Sequence, residues 1–127
     1  MAAIPLVDNY FMFLNKGKEM IFELRIYRAM PGRMPALLKR FETKTTKIWE
    51  RMGIRQVGFW TTIIGPSHLE LVYMLAWESL EERQRKWELF QADPEWLQAW
   101  AESEKDGVIV GNVASSFLSP TKFSALQ

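Results

Sequence analysis

Apolar and polar residues alternate with a period of two at the start of the patterned region. Met20, Phe22, Leu24 and Ile26 fall on one face and Glu23, Arg25 and Tyr27 on the other, which predicts a strand over residues 21 to 28. Met-Pro-Gly at 30 to 32 breaks it. From Met34 the period changes. Leu37, Leu38, Phe41, Ile48, Trp49 and Met52 recur at threes and fours, the stripe of a helix of about five turns, and Gly53 ends it.

Residues 54 to 64 are aromatic and β-branched (Val57, Phe59, Trp60, Thr61, Thr62, Ile63), a second strand with Gly58 placed for a bulge and Gly65-Pro66-Ser67 for the turn. Residues 69 to 77 alternate again, with Leu69, Leu71, Tyr73, Leu75 and Trp77 together, so these two strands should form an antiparallel hairpin. Ser79 with Glu82 three residues on is a capping box for a helix from 80 to about 91, expected to bury Leu80, Trp87 and Phe90. Asp93 before Pro94 opens another, from 94 to 105, expected to bury Trp96, Leu97 and Trp100 and to end at Gly107. A last strand runs from 108 to 118, and Pro120 stops it. The order is β-α-β-β-α-β, the last helix being a pair. That is an α+β, ferredoxin-like plan: an antiparallel four-stranded sheet with helices on one face.

The plan bears on assembly. Leu71, Tyr73, Leu75 and Trp77 occupy one face of their strand, yet Val72, Met74 and Ala76 make the other apolar too. A second apolar face needs a cover, and an identical sheet supplies one, giving a two-fold homodimer. The folded domain is expected over residues 20 to 119, with residues 120 to 127 as a tail. Residues 1 to 19 match no element and read as an appendage: either a segment upstream of the natural start, or an arm packing Tyr10, Phe11 and Phe13 on a partner subunit.

Composition fits one domain: 127 residues, 48% hydrophobic. Sixteen basic against fifteen acidic residues leave a formal charge of +1, which excludes a nucleic-acid binder driven by bulk charge. The charges are segregated, however. Arg33, Lys39, Arg40, Lys44, Lys47 and Arg51 make residues 28 to 55 basic, while Glu81, Glu82, Glu88, Asp93, Glu95, Glu102 and Glu104 make 78 to 106 acidic. Without aromatics interleaved for base stacking, these read as two solvated helix faces. Without cysteine there is neither disulfide nor thiol chemistry. No apolar run approaches the roughly twenty residues of a membrane span, and residues 4 to 14 lack the basic flank of a secretory signal. A soluble, cytoplasmic protein is expected.

Candidate chemistry is sparse. Glu23, Arg25 and Tyr27 share one face of a strand expected to be central, and a buried Arg and Glu there must be paired. Either they bond one another, Arg83 or a partner strand, or they line a pocket between sheet and helices. In such a pocket Arg25 would hold a carboxylate or polarised oxygen, and Tyr27 would donate a hydrogen bond. Trp60 and Tyr73 are the aromatic candidates for that pocket, among a supply (Trp77, Trp87, Trp96, Trp100) that core packing alone would use. His68 is the single histidine, in a turn, with only Glu70 near enough to share a metal, so no metal site is expected. Ser67, His68 and Glu70 are too close in sequence to form a catalytic triad. No phosphate loop or dinucleotide fingerprint occurs, and no cofactor is expected.

Four motifs carry a family resemblance: Met-Ile-Phe-Glu-Leu-Arg-Ile-Tyr from Met20, Gly58-Phe59-Trp60 before Gly65-Pro66, Trp77-Glu78-Ser79-Leu80-Glu81-Glu82-Arg83, and Asp93-Pro94-Glu95-Trp96. In this order and spacing they resemble the NIPSNAP family over residues 20 to about 119. The resemblance implies a dimeric α/β barrel. Eukaryotic members are linked to mitochondria and vesicle or organelle handling, and bacterial ones are mostly uncharacterised. With no basic amphipathic leader, the chain reads as bacterial-type. It departs from the family at the middle of the third strand, where many members carry a histidine and this chain has Tyr73. The implied role is a homodimer that binds a small, partly apolar ligand or a protein partner. The alternative comes from the sister monooxygenases of the same barrel group. Haem opening would want a helical histidine, which is lacking, whereas a cofactor-independent quinol oxidase could use Trp60, Tyr73 and Arg25.

Overall fold

The fold is that of a computed structural model, which describes residues 19–127. Both expectations for the appendage, the upstream start and the aromatic arm, lie outside the described residues. Strand β1 (Ile21–Ala29) is followed by helix α1 (Met34–Arg40), a π-helical turn (Phe41–Thr45) and helix α2 (Thr46–Met52). Strands β2 (Arg55–Thr61) and β3 (Glu70–Trp77), helices α3 (Leu80–Ala92) and α4 (Pro94–Ser103), and strand β4 (Val110–Leu118) complete the chain. The sheet order is β2-β3-β1-β4 with all pairs antiparallel, so the expected ferredoxin-like fold and the β2–β3 hairpin are present and β1 is central.

The local causes are those of the sequence pattern. Gly53 takes φ 72°, the left-handed value that ends α2, and the Ile54 amide donates back to the Trp49 carbonyl at 2.9 Å. The Ser79 hydroxyl accepts from the Glu82 amide at 3.0 Å, and the Asp93 carboxylate from the Trp96 amide at 3.0 Å. Asp93 also accepts from Arg51, 2.9 Å from either carboxylate oxygen, which ties the end of α2 to the corner between α3 and α4. Removing the Ser79 hydroxyl removes one such bond at an exposed helix start. Ser79→Ala is therefore expected to lower stability by about 1 kcal/mol in urea melts.

Four details differ from expectation. The long helix is not uniform. Thr43, Thr45 and Thr46 hydroxyls bond back to the carbonyls of Lys39, Arg40 and Phe41, and the i to i−4 ladder opens into a π turn. That widened turn fills the gap between Phe41 and Ile48 in the apolar stripe. Strand β2 stops at Thr61, leaving Ile63 and Ile64 exposed in the hairpin loop. Leu80, Leu97 and Trp100, expected in the core, are exposed, as is Leu38. Small Ala99, not its large neighbours, is the buried residue of α4, and Trp100 stacks on Trp96 with ring centroids 6.4 Å apart.

The core lies between the helices and the sheet face carrying Tyr27, Phe59 and Tyr73. Trp49 is fully buried at its centre, in ring contact with Phe41, Tyr73, Trp87 and Phe90. The opposite face carries Met20, Phe22 and Ala76, with Val57 and Met74 packed on them. The β2 register shifts between Gln56 and Gly58, the expected bulge. A Cβ on Gly58 would come within 2.7 Å of the Trp60 ring, so glycine there lets Trp60 lie across the strand.

Candidate functional site

Alternation on β1 sends Glu23, Arg25 and Tyr27 toward the helices, and antiparallel register sets Arg25 opposite Tyr73 on β3 and Ser115 on β4. Arg83 reaches the same point from the first turns of α3. The result is a buried polar cluster centred on Glu23, whose side chain is 0% exposed. Its carboxylate accepts five hydrogen bonds. Arg25 Nη1 donates at 2.8 Å, Arg83 Nε and Nη2 both at 3.1 Å, Trp77 Nε1 at 3.0 Å and Ser115 Oγ at 2.8 Å.

Arg25 is equally well provided for. Its Nε donates to the Tyr73 hydroxyl at 2.7 Å and its Nη2 to the Tyr27 hydroxyl at 3.3 Å, while the guanidinium carbon lies 4.6 Å from the centre of the Trp87 ring. Burial pushes the Glu23 carboxyl up, but the hydrogen bonds from Arg83, Arg25 and Ser115, with the charge of Arg25, outweigh it and hold the group below its ordinary value. Burial acts to lower the Arg25 guanidinium, but Tyr73, Tyr27 and Glu23 outweigh it and raise it. Burial also raises the Tyr73 phenol well above the usual range. The cluster thus sets the Glu23 carboxylate between the guanidinium groups of Arg25 and Arg83, with the Tyr27 and Tyr73 hydroxyls on the far side of Arg25.

Of the six residues singled out in the sequence, five meet here: Glu23, Arg25, Tyr27, Tyr73 and Arg83. Trp60 does not. Phe59 is the residue paired and stacked with Tyr73, so Trp60, opposite Val72, projects from the other face and is 52% exposed. His68 is exposed in the turn before β3, and Glu70 is engaged with Arg28 at 2.6 Å. Among the described residues no group of three His, Cys, Asp or Glu side chains could hold a metal ion, and no helix is long and apolar enough to cross a membrane.

Three participants were not singled out as such: Trp77, Trp87 and Ser115. Alternation placed Trp77 on the right face, but only the register brings Ser115 to Glu23. Arg40 is a fourth surprise. Read as part of a solvated basic face, its side chain is in fact 4% exposed. Its guanidinium carbon stands 5.4 Å from the centre of the Trp96 ring, its Nη1 donates to Ser103 Oγ at 3.3 Å, and burial pushes its pKa below the ordinary arginine value. A signal was available, since Arg40 follows Leu37 by three and so falls on the apolar stripe. Arg40 lines a cleft of about 570 Å³ between α1 and α4.

The likeness to known proteins agrees with this architecture. The NIPSNAP family profile matches residues 22–125. No curated protein matches the chain. Among solved structures it is similar to a NIPSNAP family protein with unknown function from Agrobacterium tumefaciens, at 30% identity over 87% of this chain and 96% of that one, with a TM-score of 0.76. An uncharacterized NIPSNAP-like domain protein from Burkholderia xenovorans is 28% identical over 84% of this chain and 90% of that one, TM-score 0.74. A Mycobacterium tuberculosis protein, 16% identical over 84% of this chain and 99% of that one with a TM-score of 0.57, shares the fold alone. With the profile spanning all four strands and every helix between them, the chain belongs to the NIPSNAP family.

Proposed function

We propose that the chain works as a homodimeric binding protein, two sheets face to face, which takes a small, partly apolar ligand at the β4 side of the Glu23 cluster. The observation that carries the reading is the environment of β4. Its Val113 and Phe117, on the helix side, and Leu118, on the other, are all exposed, although the strand is paired to β1 along its whole length. On the sheet face away from the helices Leu24, Ile26, Val72 and Met74 are half-buried and Trp60 is exposed. A surface of this kind is typical of an interface.

On the helix side, Arg83 stands with its guanidinium carbon 5.3 Å from the centre of the Phe117 ring, and its side chain is 18% exposed. A ligand with an apolar body on Phe117 and Val113 would meet Arg83 at its oxygen, with Ser115 between. Glu23 and Arg25 act beneath as a rigid base that fixes Arg83. Tyr27 and Tyr73 hold Arg25 from behind.

The quinol-oxidising alternative has less support. It wants Trp60, Tyr73 and Arg25 around one substrate, and Trp60 stands on the far side of the sheet from the other two. Light scattering should return twice the mass of one chain, and Ile26→Asp, on the face away from the helices, should return the single mass with the helical circular dichroism kept. A single mass for the unmodified protein would overturn the dimer. Oxygen uptake on adding a naphthoquinol would favour the oxidase instead.

A further inference from the structure

We propose that the cleft between α1 and α4 is a second site, which takes a small oxyanion, a carboxylate or a phosphoryl group, with Arg40 as the buried residue that recognises it. The two buried arginines of the chain make the comparison. A guanidinium carries five N–H donors and cannot shed its charge in the working range. Arg25 satisfies its Nε, Nη1 and Nη2 on Tyr73, Glu23 and Tyr27. Arg40, as deeply buried, gives only Nη1 to Ser103 Oγ at 3.3 Å. Its Nε has no partner, and the nearest carboxylate oxygen, on Glu104, is 4.0 Å from Nη1, beyond hydrogen-bond reach. A buried cation left so short of acceptors is destabilising unless something else supplies them.

The surroundings indicate what that is. The cleft is many times the size of a water molecule, and Arg33, Lys39 and Lys44 line it beside Arg40. Two of its carboxylates are already engaged, Glu95 by Arg51 at 3.3 Å and Glu102 by Lys105 at 2.7 Å. Asp106 is then the one lining carboxylate left against Arg33, Lys39, Arg40 and Lys44, so the excess charge is positive. A guanidinium short of acceptors matches the paired oxygens of a carboxylate or phosphoryl group. The position is also locally determined. Arg40 is the last residue of α1 before the π turn, and π turns of this kind recur at functional sites. The Trp96 ring backs the guanidinium. The site is separate from the proposed ligand contact at β4 and does not depend on it.

The test follows the Arg40 Nε–Hε resonance in ¹⁵N spectra while sodium phosphate, and separately sodium malonate, is added at constant ionic strength made up with chloride. A shift that saturates in the millimolar range is expected with at least one of them. Phosphate alone would assign a phosphoryl ligand, malonate alone a carboxylate, and either result supports the site. Arg40→Lys should weaken the binding about tenfold by keeping the charge without the fork. In Arg40→Met, which keeps the volume, saturable shifts of the neighbouring Ser103 amide should disappear. No saturable shift with either anion in the unmodified protein would overturn the proposal, as would an equal response to chloride or an undiminished Ser103 response in a folded Arg40→Met. Should that variant not fold, Lys39→Ala with Lys44→Ala at the cleft rim should weaken binding at least threefold, and unchanged binding there would also overturn it.

Discussion

Glu23→Gln is expected to lower stability by about 3 to 5 kcal/mol, although the side chain keeps its shape and can still accept hydrogen bonds. The loss comes from the partners. Arg25 and Arg83 both direct their donors at this carboxylate, at 2.8 and 3.1 Å, and the neutral amide leaves two guanidinium groups close together with no counter-charge. Its NH2 would also face groups that can only donate, Arg25 Nη1 and Arg83 Nη2 at one oxygen's place or Trp77 Nε1 and Arg83 Nε at the other's. Restoring balance should recover part of the loss, so Glu23→Gln with Arg25→Met should melt above Glu23→Gln alone. A double variant less stable than the single one would contradict the pairing argument.

The pH dependence has a definite sign. The folded Glu23 carboxyl lies below its ordinary value of 4.5, so its contribution is present above that value and is lost as pH falls through the lower, folded one. Above about pH 4.5 the unmodified protein and Glu23→Gln should differ by a constant amount, and in more acid solution the difference should shrink. A difference that widened on acidification would show that the carboxylate is not the stabilising form.

Much of this was legible from the chain, for reasons that are local. Alternation along residues 20 to 28 and 69 to 77 fixes which side chains share a face, and Ser79, Asp93 and Gly53 act within one turn of backbone. The Glu23, Arg25, Tyr27 and Tyr73 grouping followed because these strands are regular and adjacent. Trp60 was misplaced because its phase depends on a one-residue slip at Val57, and a slip moves every later side chain to the other face. The π turn escaped notice because its cause, a set of threonine hydroxyls bonding to carbonyls, leaves no mark on the apolar pattern beyond the gap between Phe41 and Ile48. Leu80, Leu97 and Trp100 were misjudged for another reason. Periodicity reports a stripe, but how much of it is covered depends on how close the neighbouring helix comes, and Ala99 sets that approach for α4.

The same distinction orders Trp49, Trp96 and Trp100, and Trp49→Ala is expected to be the most damaging change of the three, at about 3 to 5 kcal/mol. Trp49 is 0% exposed, and its ring meets four others at centroid distances of 5.6 to 6.0 Å, so a cavity there has rigid aromatic walls that cannot close in. Trp96 is half-buried, with Phe90 at 4.7 Å, and should lose less on truncation. Trp100, 47% exposed and stacked only on Trp96, should lose roughly 0.5 to 1.5 kcal/mol. Trp49→Phe separates packing from polarity. The indole Nε1 has no hydrogen-bond partner among the described residues, and a buried donor without an acceptor opposes folding by about 1 to 3 kcal/mol. Phenylalanine removes that donor while keeping an aromatic face toward Tyr73 and Phe90, so its loss should be less than half that of alanine. Chemical melts of the four variants read the order directly. Trp100→Ala matching Trp49→Ala would mean that α4 is covered by something other than the helices and sheet of its own chain, and Trp49→Phe matching Trp49→Ala would mean that the indole nitrogen is satisfied after all.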